Sequence, residues 1–249
     1  MPTKEERAVE ACQEAEKLNN AGMALTRAGD FPRAIDTFRD GLSRLRGLPP
    51  SPAVKQAEAA LSGNVAQPLM RLGQLQEAAV LLGRQGALAE EIGNAQSYSN
   101  ALNSLAICYL QAGDDKEAER LFEMRLPITE RLGDRKGEGN TLNNLAQIYV
   151  QRRQYGPATA MLNRRIELAK QVGDRRGQAS GLVNLSRVYS ETAKPDRART
   201  SLVEALSIMR ADGDPAPARW RPPWPACEHA ASLPQSENPL GGLRWTTRT

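Results

Sequence analysis

The chain has 249 residues, of which 40% are apolar, 25% charged and only 4% aromatic, and its formal net charge is +4. So few large rings argue against a thick globular core and favour thin helical layers built from Ala and Leu. Acidic and basic residues alternate with no long run of one sign, which describes a solvated surface rather than a polyanion-binding tract.

The N-terminal stretch MPTKEERAVEACQEAEK is charged, helical in pattern, and without the apolar core of a signal peptide. No later stretch approaches the length of a membrane span, so a cytoplasmic protein with no membrane contact is expected. Cys12, Cys108 and Cys227 lie far apart and form no CxxC pair, which argues against a disulfide framework or a zinc site. Cys108 falls in an apolar stretch and reads as a small buried filler. The single histidine, His229, is near the C-terminus, which removes Ser–His and Cys–His catalysis and multi-histidine metal sites from the region before it. There is no Gly-rich phosphate loop and no GxSxG. The expectation is a protein that is not an enzyme and carries no cofactor and no metal.

Taken in chain order, the elements form about five units, at roughly 15–47, 58–93, 98–133, 138–173 and 178–211. The first two are worn. Gly22 and Ala34 mark the first, and Ala66 and Ala78 follow them by forty-four. The extra length is taken up by GLPPSPAVK, a loop by its prolines Pro49, Pro50 and Pro52. From there the spacing is a constant forty, because Ala106 and Ala118 follow Ala66 and Ala78. Leu142, Asn144, Leu145 and Tyr149 align with Leu182, Asn184, Leu185 and Tyr189 at the same offset of forty. Gly133, Asp134 and Arg135 align likewise with Gly173, Asp174 and Arg175.

Each unit reads as two helices. The first carries apolar positions such as 142, 145, 146 and 149, one stripe of a helix. A polar break follows, and the second helix opens on Ala118 or Ala158, with Pro157 in a first turn where its missing N–H costs nothing. Gly133 and Gly173 are placed to end the second helices in the left-handed conformation. Asp134 and Asp174 are expected to cap the next helix. Pro68 and Pro127 fall inside helices and should kink or cut them. No segment shows sustained strand alternation. After residue 211 the periodicity stops; 212–249 is rich in proline, holds all three tryptophans, and is expected to be disordered. A polyproline ligand at PPWP, or Trp220 and Trp224 covering the last repeat, are the other readings of this tail.

These units resemble tetratricopeptide repeats. The resemblance rests on Leu102, Leu105, Ala106, Tyr109, Ala118 and Phe122, repeated as Leu142, Leu145, Ala146, Tyr149, Ala158 and Leu162. It recurs as Leu182, Leu185, Ser186, Tyr189, Ala198 and Leu202, and more loosely as Leu18, Gly22, Leu25, Ala34 and Phe38. The forty-residue period with its Gly-Asp-Arg linker is similar to the longer-repeat subgroup found in G-protein-signalling modulators and kinesin light chains. The resemblance implies an all-α, right-handed α-solenoid of helix-turn-helix units over 1–211, followed by the tail.

Opposite the buried stripe lie positions such as 140, 143, 147 and 151. By the resemblance, that side lines a concave groove. Through the array it presents Asn19, Arg27, Gln67, Arg71, Asn100, Asn103, Gln111, Asn140, Asn143, Gln147, Gln151 and Arg187. Asn is about 0.7 kcal/mol worse than Ala in a helix, so its recurrence is mildly costly if it does nothing. Asn and Gln amides can bond a peptide backbone from both ends, and Arg can pair with carboxylates. One reading is therefore a groove that holds an extended segment of another protein, acidic segments included. The other is a solvated face copied by duplication. Two further functions compete with a peptide adaptor. One is a regulatory or sensor module of a larger signalling assembly. The other is nucleic-acid binding through Arg152, Arg153, Arg164, Arg165, Arg175 and Arg176, which is disfavoured because no aromatics interleave them.

Overall fold

A computed structural model describes residues 3–211; the expectations placed on the tail, Cys227 and His229 among them, lie outside the described residues. Those described residues form helices and no strand. The helices are α1 (Lys4–Ala28), α2 (Phe31–Leu45), α3 (Pro52–Arg71), α4 (Leu75–Glu91), α5 (Ala95–Ala112), α6 (Asp115–Leu132), α7 (Arg135–Gln151), α8 (Tyr155–Gln171), α9 (Arg175–Glu191) and α10 (Pro195–Ala211). They divide into two compact units, α1–α6 and α7–α10, with the boundary between Asp134 and Arg135. Within each unit a helix packs on its immediate neighbours, and the odd-numbered helices α1, α3 and α5, and α7 and α9, also lie beside one another.

The hairpins exist because two small-residue positions recur. Ala34, Ala78, Ala118, Ala158 and Ala198 are each fully buried, at 0% exposure, on the second helix of their pair. Gly22, Ala66, Ala106, Ala146 and Ser186 take the facing position on the first helix and are all buried. Close approach is most demanding at Gly22, where a Cβ would lie 2.6 Å from Cε1 of Phe38. One turn after each second-helix alanine comes a larger filler, Phe38, Leu82, Phe122, Leu162 or Leu202, all buried. The stripe expected at 142, 145, 146 and 149 is buried at Leu142, Leu145 and Ala146 and half-buried at Tyr149. In the first unit Phe38, Leu61, Val65, Leu69 and Leu82 share a core with Cys108, whose Sγ donates to the Leu75 carbonyl at 3.3 Å. Burial pushes the Cys108 thiol pKa up, as fits a filler rather than a nucleophile. In the second unit Leu162, Ile166, Leu182, Leu185 and Val188 form the corresponding cluster.

The turns follow from local chemistry. Gly133 and Gly173 adopt φ 68° and 69°, as expected for helix-ending glycines. Asp174 then accepts from the Gly177 N–H at 2.9 Å, and Asn94 and Asp114 cap α5 and α6 in the same way. The turn inside each hairpin also needs one left-handed residue. Gly29, Gly73 and Gly113 supply it in the first three pairs, whereas Arg153 (φ 58°) and Ala193 (φ 54°) supply it in the last two.

Three local expectations are corrected. Pro68 and Pro127 do not cut their helices; α3 and α6 run through them. Phe122 and Thr129, one on each side of Pro127, are both 0% exposed, so docking on both sides outweighs one missing hydrogen bond. Val65 and Leu69 flank Pro68 in the same manner, also at 0%. The proline-rich loop stops sooner than expected, because Pro52 is the first residue of α3 and Ser51 caps it by accepting from the Val54 N–H at 3.3 Å. The second helices of the third and fourth pairs begin at Asp115 and Tyr155, a turn before Ala118 and Ala158, and Pro157 lies in the first turn of α8.

Candidate functional site: the inner stripe of the first helices

The candidate residues all sit on the first helix of a pair. In the first unit α1 carries Asn19 and Arg27, α3 carries Gln67 and Arg71, and α5 carries Asn100, Asn103 and Gln111. In the second unit α7 carries Asn140, Asn143, Gln147 and Gln151, and α9 carries Arg187. Arg27, Gln67, Arg71, Asn100, Gln111, Asn140, Gln147, Gln151 and Arg187 are exposed, whereas Asn19, Asn103 and Asn143 are half-buried.

Those three asparagines occupy one position of the repeat, and the fold engages each of them. Asn64 Nδ2 donates to Asn19 Oδ1 at 2.9 Å, which ties α3 to α1. Asn184 Nδ2 donates to Asn143 Oδ1 at 2.7 Å, which ties α9 to α7. Arg125 Nη1 donates to Asn103 Oδ1 at 3.0 Å. A half-buried amide with a partner regains the hydrogen bond it gave up with water, so the helix-propensity penalty of Asn is offset by a cross-helix bond. These bonds fix the carbonyl ends and therefore the rotamers of the three amides.

The second helices contribute residues that the reading of the inner stripe did not include, Arg164 and Arg165 having been placed only among the arginines of the nucleic-acid reading. Arg125 on α6 is 5% exposed; its Nε donates to the Ser99 carbonyl at 3.1 Å and to Ser99 Oγ at 3.3 Å. Arg165 stands forty residues later on α8 and is 7% exposed. Burial pulls both guanidinium pKa values down, opposed by the charges of Asp134 and Asp174 respectively; both arginines stay charged. Glu138 on α7 is fully buried and receives Arg135 Nη1 at 3.1 Å and Arg164 Nη2 at 2.6 Å. Glu58 with Arg84, and Gln178 with Glu204, repeat that link at the same separation of 26 residues. The available signal was the forty-residue offset between Arg125 and Arg165, which charge alternation concealed.

Between α1 and α3 lies a groove of about 480 Å³ lined by Val9, Cys12, Glu16, Asn19, Ala57 and Ala60 among others. The exposed surface of its walls is mainly apolar, and Asn19 stands there beside other polar side chains, Gln13, Glu16, Asn20 and Gln56 among them. Among the described residues, no cluster of three or more His, Cys, Asp or Glu could hold a metal ion. No helix among them is long and apolar enough to cross a membrane.

Helix pairs with a buried alanine seam, stacked so that first helices adjoin, define an all-α solenoid of the protein-interaction scaffold class. A family model described as the tetratricopeptide repeat matches residues 56–131 and 138–211, more than half of the chain, and the chain belongs to that family. No curated protein matches it by sequence. Among solved structures it is similar to BtubC (BKLC) from P. vanneervenii, with 19% identity, a TM-score of 0.69, and coverage of 89% of this chain and 96% of that one. It is similar to kinesin-light-chain TPR-like repeats from Podosopora anserina, with 17% identity, a TM-score of 0.67, and coverage of 81% and 97%. A signal-transduction ATPase with numerous domains and a tetratricopeptide repeat sensor, from Pyrococcus horikoshii, shares 12% identity at a TM-score of 0.67 over 82% of this chain and 34% of that one. At these identities the likeness is one of fold.

Proposed function

We propose that the chain is an adaptor that holds an extended segment of a partner protein along the inner stripe of its first helices. The observation that supports this reading most directly is the groove between α1 and α3, mainly apolar in surface, which has Asn19 of that stripe in its walls. Amides such as Asn19 and Asn143, their rotamers held by cross-helix bonds, are preorganised to meet a peptide backbone. Exposed Arg27, Arg71 and Arg187 favour a segment that carries carboxylates. A cytoplasmic setting accords with this reading, as Cys12 and Cys108 are both free thiols.

The test is selection from a displayed peptide library on the full chain, followed by anisotropy titration of the enriched peptide. Ala60→Arg in the α1–α3 groove combined with Arg27→Ala on α1 should weaken binding at least tenfold while the helical circular dichroism is kept. Enrichment of no peptide, or an affinity untouched by the pair, rejects the adaptor reading. A second reading, a sensor module within a larger assembly, draws on the repeat sensor of the archaeal ATPase. It predicts that the isolated chain enriches no peptide and acts only when joined to a catalytic neighbour.

A further inference from the structure

The second hairpin departs from the repeat at two places that meet in space. The first helices carry Leu18, Leu102, Leu142 and Leu182 at equivalent positions, but α3 carries Ser62. Ser62 is as deeply buried as those of the third to fifth pairs, at 1% exposure. A serine fills less space than a leucine, and a cavity of about 400 Å³ opens beside it between α2, α3 and α4. Ser62 lines this cavity, and its hydroxyl has no hydrogen-bond partner among the described residues. The other departure is the junction between α2 and α3, where the buried alanines Ala34 and Ala78 stand forty-four apart instead of forty. Junctions such as Gly93–Asn94 and Gly173–Asp174 join their hairpins without the extra residues, so stacking does not demand them. Arg46, Gly47, Leu48 and Pro50 of the longer junction all line the same cavity. Leu45, Val54 and Leu81 add apolar wall, while Arg46, Lys55 and Arg84 face a single carboxylate, Glu58, so the lining is net positive. Lys55 is held by Glu91 at 2.8 Å and Arg84 by Glu58 at 2.8 Å. The Arg46 guanidinium forms no ion pair or side-chain hydrogen bond among the described residues.

We propose that this cavity is a binding site for a small amphipathic anion, a phosphate monoester with a short apolar body. Arg46 takes the phosphate, whose oxygens accept from parallel N–H groups of a guanidinium, with Lys55 and Arg84 as flanking cations. The body packs against Leu45, Leu48 and Val54 in the space that Ser62 leaves, and the Ser62 hydroxyl supplies a hydrogen bond to it. The volume falls in the range of about 300–1,000 Å³ usual for small-molecule sites, whose walls join apolar side chains to a few placed polar groups. Giving up a leucine and burying an unpaired hydroxyl both weaken the hairpin. A bound ligand returns both contacts. Water alone would satisfy the hydroxyl but not the leucine and valine walls. The site is independent of the adaptor reading, because α2 and α4 contribute nothing to the groove between α1 and α3.

The test is a titration of the full chain, labelled with ¹³C at its leucine and valine methyl groups, with hexyl phosphate, hexanol and inorganic phosphate in parallel. The Leu48 and Val54 signals, assigned by their loss in Leu48→Met and Val54→Ile, should shift saturably with hexyl phosphate. Hexanol and inorganic phosphate should each bind at least tenfold more weakly. Arg46→Gln should weaken hexyl phosphate at least tenfold, whereas Arg44→Gln, which removes the same charge outside the cavity, should leave its affinity unchanged. Ser62→Leu, which restores the residue of the other repeats, should abolish the response. Stationary Leu48 and Val54 signals mean a cavity filled by solvent only and overturn the proposal. Equal affinity for hexanol leaves an apolar crevice without an anion site, and equal affinity for inorganic phosphate leaves surface charge alone; either result overturns it too. So do equal losses in Arg46→Gln and Arg44→Gln, or an undiminished response in a helical Ser62→Leu. Should Ser62→Leu lose its helical circular dichroism, the comparison of Arg46→Gln with Arg44→Gln decides.

Discussion

Asn184 donates its side-chain N–H to the side-chain carbonyl of Asn143 at 2.7 Å, and through that bond α9 is held in register with α7. Breaking it should cost about 0.5–1.5 kcal/mol, the usual net worth of a neutral hydrogen bond. Asn143→Ala and Asn184→Ala should each fall in that range. The double variant should lose less than their sum, which a urea-denaturation cycle measures.

Arg153 and Ala193 stand in left-handed backbone where Gly29, Gly73 and Gly113 stand in earlier pairs. A residue with a Cβ costs about 1–2 kcal/mol there, while glycine loses roughly 0.5–1 kcal/mol more chain entropy on folding. Arg153→Gly and Ala193→Gly should therefore each raise stability by about 0.5–1 kcal/mol. Gly113→Ala should lower it by a similar amount. Thermal melts of the three variants check the sign.

Glu138 is buried while its partners Arg135 and Arg164 remain about half exposed, so the pair responds asymmetrically to substitution. Arg164→Ala strands part of a buried carboxylate's hydrogen bonding and should cost about 1–3 kcal/mol. Glu138→Gln releases two arginines that water can solvate, and should cost less. Chemical denaturation that finds Glu138→Gln the more damaging change contradicts this account.

The seam between helices should tolerate neither loss nor gain of volume. Leu145, 2% exposed, should cost about 2–5 kcal/mol as Leu145→Ala. Gly22→Ala drives a methyl into the Phe38 ring and should cost about 1–3 kcal/mol despite the better helix propensity of alanine. A melting temperature raised by Gly22→Ala indicates that Phe38 can move aside.

The all-α architecture was legible because its causes are periodic. Leu142, Leu145 and Ala146 recur at a fixed offset, and a buried stripe has to repeat if each hairpin is to cover the next. Gly133, Gly173 and Asp174 were legible for a different reason, as their turn chemistry is local. What could not be read depends on contacts between helices. Pro127 looks like a breaker until Phe122 and Thr129 are seen docked on either side of it. Arg165 looks like one more surface charge until Gly139 is seen to admit it. Arg153 gives no sign of a left-handed φ, because that conformation is imposed by the helices it joins. The candidate stripe was legible as a face, but the employment of Asn19, Asn103 and Asn143 in cross-helix bonds required knowing which helix lies opposite.

In each unit the extensive contacts between helices join neighbours or helices two places apart along the chain. Ring closures during folding are then short and their entropy small, which places such a chain among fast folders. A ribosome-bound chain could complete each hairpin as soon as its second helix emerges and add it to the one before. The same locality means that damage stays local. A destabilised hairpin should open as a patch of rapid amide exchange while hairpins farther along that unit keep their protection.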